Sequence, residues 1–292
     1  MTVNLSVRIL FFVAISSTLT VYAQLHEDSF ETSREFNKSQ GFSWYPTGNN
    51  VFTTSDPKTG KKTIPRYGDD SLGFAYRGKA DGEDATAEQR FTLGKRYSEV
   101  WFSFHLRVPD NFYHRQQISS TNTKFFHLWT DNYEKDGLAT VLEYWPEPDG
   151  SSKLAYRWVR DGDRTPGHQG HTTIFKIPEA RGKWYKFLIH FKTAATATSN
   201  DGIIQTWVKI EGSDSYKSVH SRLDAPLYAA TASGGYLNGY LLGWSNSGFS
   251  NDTIFYMDDF KFGESASEVA DDFKFGESTP EVADDFFPPA PP

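Results

Sequence analysis

The stretch Thr253 to Gly263, TIFYMDDFKFG, reads as a β-strand, and its DDFKFGES core is then copied. DDFKFGESASEVA from Asp258 is followed by DDFKFGESTPEVA from Asp271, and a truncated third start, DDFFPPAPP, begins at Asp284. The first copy lies in β-rich sequence and can close a sheet. The later copies run into proline and have no further strands to pair with. The fold is therefore expected to end near Glu264, leaving residues 265–292 as an acidic, Pro-ended tail without fixed structure.

Working back from this strand, apolar and polar residues alternate through most of the chain. Val100, Phe102, Phe104, Leu106 and Val108 alternate with Glu99, Trp101, Ser103, His105 and Arg107. Such a pattern gives a strand one core face and one polar or aromatic face. Tyr185, Phe187, Ile189 and Phe191 form a second such face, and Ile204, Thr206, Val208 and Ile210 a third, joined by the turn Ser199-Asn-Asp-Gly202. Further strands are expected at Leu72 to Tyr76, Glu88 to Leu93, Lys124 to Trp129, Leu138 to Trp145, Leu154 to Arg160 and Tyr236 to Trp244. No stretch after the first residues holds a helical period. The fold class is all-β: a two-sheet antiparallel β-sandwich of jelly-roll type.

At the N-terminus, Arg8, the apolar run Ile9 to Ala14 and Val21-Tyr-Ala23 have the layout of a cleavable export signal, residues 1–23. The run is too short to span a bilayer. The mature domain, residues 24–264, is expected to be secreted, monomeric and without membrane attachment. The chain has no cysteine, which excludes disulfides, thiol catalysis and thiolate zinc sites. A net charge of −7 argues against nucleic acid as a partner. Against that balance, Lys153, Arg157, Arg160, Arg164, His168, His171 and Lys176 form a basic stretch suited to an anionic ligand. The composition holds 8 Trp, 15 Tyr and 24 Phe, more rings than a sandwich core requires, and flat sugar faces stack on such rings.

The order of HEDSFE, YSEVWFSFHLRVP, GKWYKFLIHFK, DGIIQTWVKIEG and the final GYLLGWSNSGFSNDTIFYMDDFKFG resembles the concanavalin A-like jelly rolls, a superfamily of lectins, glucanases and polysaccharide lyases. In layout the chain is most similar to the jelly-roll alginate lyases, which carry an arginine-containing RSEL-like strand, a QIH strand and a late YFKAGVYNQ-like strand. YSEV at Tyr97 to Val100 looks like the first, FFHLW at Phe125 to Trp129 like the second, and YLLGWSNS at Tyr240 to Ser247 like the third. Arg96 stands one place early, Phe125 replaces the glutamine, and Ser245 falls where the family has a tyrosine. His127 and Asn246 match in type. The superfamily also implies a structural calcium between first and last strands, for which Asp28, Glu31 and Asp259 supply hard oxygen ligands. No cofactor is implied for catalysis.

β-Elimination on a uronate needs a cation to neutralise the sugar carboxylate, a base for the adjacent carbon-bound proton and an acid for the leaving oxygen. By alternation His127 shares a face with Phe125 and Trp129, Glu143 with Val141 and Trp145, and Arg157 with Ala155 and Val159. His127 as base, Arg157 as neutraliser and Tyr240 as acid make a workable set, with Trp129, Glu143, Trp145, Trp244 and Asn246 as substrate contacts. Two alternatives stay open: a glycan-binding module without turnover, and a glycoside hydrolase pairing Glu99 with Glu143.

Overall fold

The computed structural model describes residues 26–31, 41–46, 48–53, 62–115, 122–133, 135, 137–160, 172–228, 234–270 and 272–273. The expected export signal and, within the basic stretch, Arg164, His168 and His171 lie outside the described residues. Among the described residues no helix is long and apolar enough to cross a membrane.

The strands in chain order are β1 (His26–Asp28), β2 (Ser43–Trp44), β3 (Val51–Phe52), β4 (Leu72–Tyr76), β5 (Ala85–Tyr97), β6 (Glu99–Arg107), β7 (Thr123–Trp129) and β8 (Leu138–Pro146). They continue as β9 (Ser152–Arg160), β10 (Thr173–Phe175), β11 (Trp184–Lys192), β12 (Gly202–Ile210), β13 (Lys217–Ala225), β14 (Tyr236–Ser245) and β15 (Thr253–Gly263). The first sheet runs β13-β12-β11-β6-β15-β4-β3, with β1 added on β15; the second runs β10-β9-β8-β7-β14-β5-β2. This is the two-sheet antiparallel β-sandwich that the alternation predicts.

Phenylalanine fills the space between the sheets. Phe91, Phe102, Phe104, Phe126, Phe187 and Phe260 are all fully buried there. Each contributes about 1.5–3 kcal/mol of transfer free energy, which is how a chain without disulfides holds together. The repeated strand β15 sits inside the sheet, between β6 and β4. Its register against β6 shifts between Asp258 and Lys261, and Asp259 has φ +49°. That bulge lets Met257 and Phe260, an odd number of residues apart, both face the core.

A second shift, between Lys124 and Phe126, corrects the expected face of Phe125. Phe125 and Phe126 both point into the core, so Phe125 does not share a face with His127. Beyond β15 the chain continues as a single helical turn, α1 (Ala266–Val269). Ala266, Val269 and Ala270 pack with Trp101, Leu188 and Trp207 on the outer face of the first sheet, and Ser103 Oγ donates to the Val269 carbonyl at 2.6 Å. These residues, which the sequence reading placed in the tail, are part of the packed structure.

One backbone contact makes a stability prediction. Gly94 of β5 has φ +78°, and a Cβ built there would lie 2.3 Å from the backbone of Gly41. Gly41 lies just before β2, whose Ser43 pairs with Thr92 of β5, so the two backbones are tied close together. Gly94→Ala is expected to lower stability by about 2–3 kcal/mol, from left-handed strain plus the clash. Urea unfolding checks this, and a loss below about 0.5 kcal/mol would show that the close approach is dispensable.

Candidate functional site

The insertion of β14 between β5 and β7 creates the site. Tyr240 pairs in register with Arg90 on one side and His127 on the other. His127 in turn pairs with Val141 of β8, and Val141 with Arg157 of β9. Arg90, Tyr240, His127, Val141 and Arg157 therefore form one row across five strands of the second sheet. Phe126, Leu128 and Leu241, which flank His127 and Tyr240 along their strands, point inward to the core, so this row lies on the outer face.

At the centre of the row the His127 and Tyr240 rings meet edge to face, centroids 4.9 Å apart. Both are buried, His127 at 0% exposure. Tyr133, from the turn after β7, lays its ring 4.9 Å from His127 and packs with Trp129, Ala139, Val159 and Tyr240. Its φ of +53° is unusual for a bulky residue and marks a turn held in place by its surroundings. Arg96 anchors that turn, donating to the Thr130 carbonyl at 2.6 Å and pairing with Asp131. The Arg90 guanidinium lies over Trp129 at 5.8 Å and Tyr133 at 5.6 Å, and pairs with Glu88.

The electrostatics follow from burial among cations. Burial first, then the charges of Arg157, Lys124 and Arg90, holds the His127 imidazole well below its ordinary value, so the ring is neutral. Neither of its ring nitrogens has a hydrogen-bond partner among the described residues. Burial, with Tyr133 next to it, pushes the Tyr240 phenol well above 10, so it keeps its proton. A neutral imidazole with free lone pair beside a protonated phenol can take one proton and give another.

Beside the row, Glu143 is buried at 1% and gathers polar groups. Its Oε2 accepts from Asn122 Nδ2 at 2.9 Å and Trp145 Nε1 at 3.0 Å, and its Oε1 from Arg157 Nε at 3.4 Å. Lys124 Nζ donates to Asn246 Oδ1 at 2.7 Å. Thus His127, Tyr240, Trp129, Glu143, Trp145, Arg157 and Asn246 fall into one region. Trp244 is 47% exposed and bonds Asp84.

Several sequence expectations do not survive. YSEV enters β6 in the opposite sheet, so it does not supply the arginine strand; Arg90 of β5 stands beside Tyr240 instead. Glu99 is also on β6, bonded to His190 at 2.9 Å. Glu99 and Glu143 thus occupy outer faces of different sheets, which pack about 10 Å apart, too far to flank one glycosidic bond. The proposed calcium ligands do not converge either. Asp28 accepts from Phe30 N and Trp44 Nε1, Glu31 accepts from the amides of Asp69 and Asp70, and Asp259 lies 3.3 Å from His105. Among the described residues no group of three or more His, Asp or Glu is placed to hold a metal.

Arg90, Lys124 and Tyr133 escaped the sequence reading. Arg90 lay within an expected strand but was passed over for YSEV, while Tyr133 lies in a turn with no periodicity. The class defined by fold and site is a two-sheet antiparallel β-sandwich with a cation-flanked His–Tyr pair on one sheet face. No family model and no curated protein matches the chain. Among solved structures it is similar to alginate lyase Aly36B, at 13% identity and TM-score 0.45 over 68% of this chain and 82% of that one. It is similar too to the Chlorella virus alginate lyase vAL-1, at 9% identity and TM-score 0.43 over 70% and 88%. The VIP36 exoplasmic/lumenal domain, in a Ca2+/Man3GlcNAc-bound form, gives 12% identity and TM-score 0.40 over 76% and 86%. These are remote likenesses, and the functional reading rests on the residues of the row.

Proposed function

We propose that the protein is a secreted polysaccharide lyase that cleaves a uronate polysaccharide by β-elimination. The observation carrying this reading is the buried, neutral His127, without a hydrogen-bond partner among the described residues, in register beside protonated Tyr240, with Arg90 and Arg157 at the two ends of the row. Arg157 neutralises the uronate carboxylate, which acidifies the adjacent C–H, while Arg90, at the other end of the row, faces a neighbouring uronate. His127 takes that proton as the C–O bond to the neighbouring sugar breaks, a carbon–carbon double bond forms, and Tyr240 protonates the departing oxygen. Trp129, Trp145 and Trp244 offer faces for neighbouring sugars. On this reading the Tyr133 ring, packed 4.9 Å from His127, has to be displaced for substrate to reach the pair.

The complete burial of the pair favours a second reading, glycan binding without turnover. Incubation with alginate, pectate and glucuronan, followed by ultraviolet absorbance of unsaturated ends, separates the two. Rising absorbance on at least one polymer is expected. Binding without absorbance on any of them would leave the lectin reading and remove the lyase.

A further inference from the structure

The outer face of the first sheet, remote from the His127 row, holds the second DDF copy in a specific seat. Asp272 accepts from Lys186 Nζ and Lys209 Nζ, each at 2.9 Å, and from the Tyr216 hydroxyl at 3.3 Å. Phe273 stacks edge-on against Trp207, with centroids 5.1 Å apart, and Tyr216, at 5.4 Å. Ala266, Val269, Ala270 and Phe273 follow the spacing of one helix face, and all four contact the same aromatic floor. A cavity of about 270 Å³ adjoins the seat, lined among others by His105, Lys186, Lys209 and Asp272.

The residues that make this contact recur. Ala266-Ser-Glu-Val-Ala-Asp-Asp-Phe273 is repeated as Thr279-Pro-Glu-Val-Ala-Asp-Asp-Phe286. Glu, Val, Ala, both Asp and Phe are identical, and the anchors Val269, Ala270, Asp272 and Phe273 map onto Val282, Ala283, Asp285 and Phe286. In a seated third copy Pro280 would take the place of Ser267, in the first turn, where its missing N–H is tolerated. We infer that the outer face of the first sheet is a docking site for the segment Glu-Val-Ala-Asp-Asp-Phe, and that residues 279–286 of the same chain take the seat when residues 266–273 leave it. Charge supports the match, two lysines against an acidic pair, and so does position, since the described chain ends at Phe273 on this very face. The longer linker is no obstacle, because loop-closure entropy rises slowly with length.

The absence of native cysteine allows a direct test in the full chain. Ser213→Cys, in the lining of the adjoining cavity, with Asp284→Cys, treated with a short bismaleimide, reports entry of the third copy while both lysines and Asp285 are kept. Val269→Asp with Phe273→Asp empties the seat, and in that background intramolecular crosslinking is expected to rise about tenfold over the chain with its second copy intact. Ser213→Cys with Asp271→Cys, in an otherwise native chain that keeps Lys209 and Asp272, is the positive control and should crosslink readily. If the control crosslinks but emptying the seat brings no rise, the inference is overturned. A crosslinked dimer in place of the intramolecular product overturns it as well, since the occupant would then be a second copy. Lys186→Glu in the emptied background should abolish the rise, and persistence of the crosslink there would show chance tail collisions rather than docking.

Discussion

His127→Leu abolishes β-elimination, lowering kcat about 10²–10⁴-fold, and at the same time raises the protein's stability. The two effects have one cause. His127 is wholly buried with both ring nitrogens unpartnered among the described residues. A buried polar group without a partner costs about 1–3 kcal/mol, so an apolar side chain of similar size relieves the fold by part of that. A histidine kept for packing would behave in the opposite way. Removing a proton-transfer group from an elimination costs two to four orders of magnitude. Tyr240→Phe keeps the ring contacts at 4.9 Å to His127 and removes the phenolic proton, so it is expected to cut kcat comparably with little change in binding. Activity from His127→Leu within about threefold of the native protein would remove the base assignment.

The cations around the pair make that prediction sharper. Burial, then Arg157, Lys124 and Arg90, disfavours imidazolium, so turnover should persist at pH 6, where an unperturbed histidine base would already be about three-quarters protonated. Arg90→Ala should raise KM for the uronate polymer and leave the fold intact, because the side chain is exposed and pairs with Glu88 at the surface.

What could be read from the sequence was local, and what could not was pairing between distant strands. Alternation in Val100 to Val108 or Tyr185 to Phe191 is set by residues adjacent in the chain, so the sandwich was legible. His127 and Tyr240 were legible as chemistry, but their contact depends on β14 crossing the chain to sit between β5 and β7. The same crossing puts Arg90 beside Tyr240, and nothing in the local sequence announces it. Bulges hid the rest: the shift at Lys124 turned Phe125 inward, and the one after Asp258 put both Met257 and Phe260 in the core. The tail was misjudged for a physical reason too. Ala266, Val269, Ala270 and Phe273 have helical spacing that is too short to register as a helix, yet suffices against a waiting aromatic surface.

Acid unfolds this protein early, and the sign follows from its buried histidines. Burial holds His26 down to about 4 and His114 down to about 3, and lowers His105, His127 and His190 as well. The unfolded chain takes up these protons near pH 6.5, whereas the folded chain waits until each lower value is reached. Across that window the unfolded state binds more protons, so stability falls as pH falls, by about 1.4 kcal/mol per pH unit for each histidine. Asp28 and Asp258 work in the opposite sense. Burial raises them to about 7 and about 6, so between those values and pH 3.8 the folded state holds protons that the unfolded chain has released. They offset two of the five histidines, while Asp259 and Glu99 limit the shifts of His105 and His190. The net is a loss of roughly 1–4 kcal/mol per pH unit below pH 6.5, against a total stability of about 5–15 kcal/mol. Denaturant unfolding at pH 7, 6 and 5 should show the midpoint falling steadily. His114→Gln, which removes a histidine buried against Tyr144 and bonded through Nδ1 to Ser152 at 3.0 Å, should flatten that slope by about one proton. An unchanged midpoint from pH 7 to pH 5 would mean that these rings charge in place, and that the His127 pocket is far wetter than its burial implies.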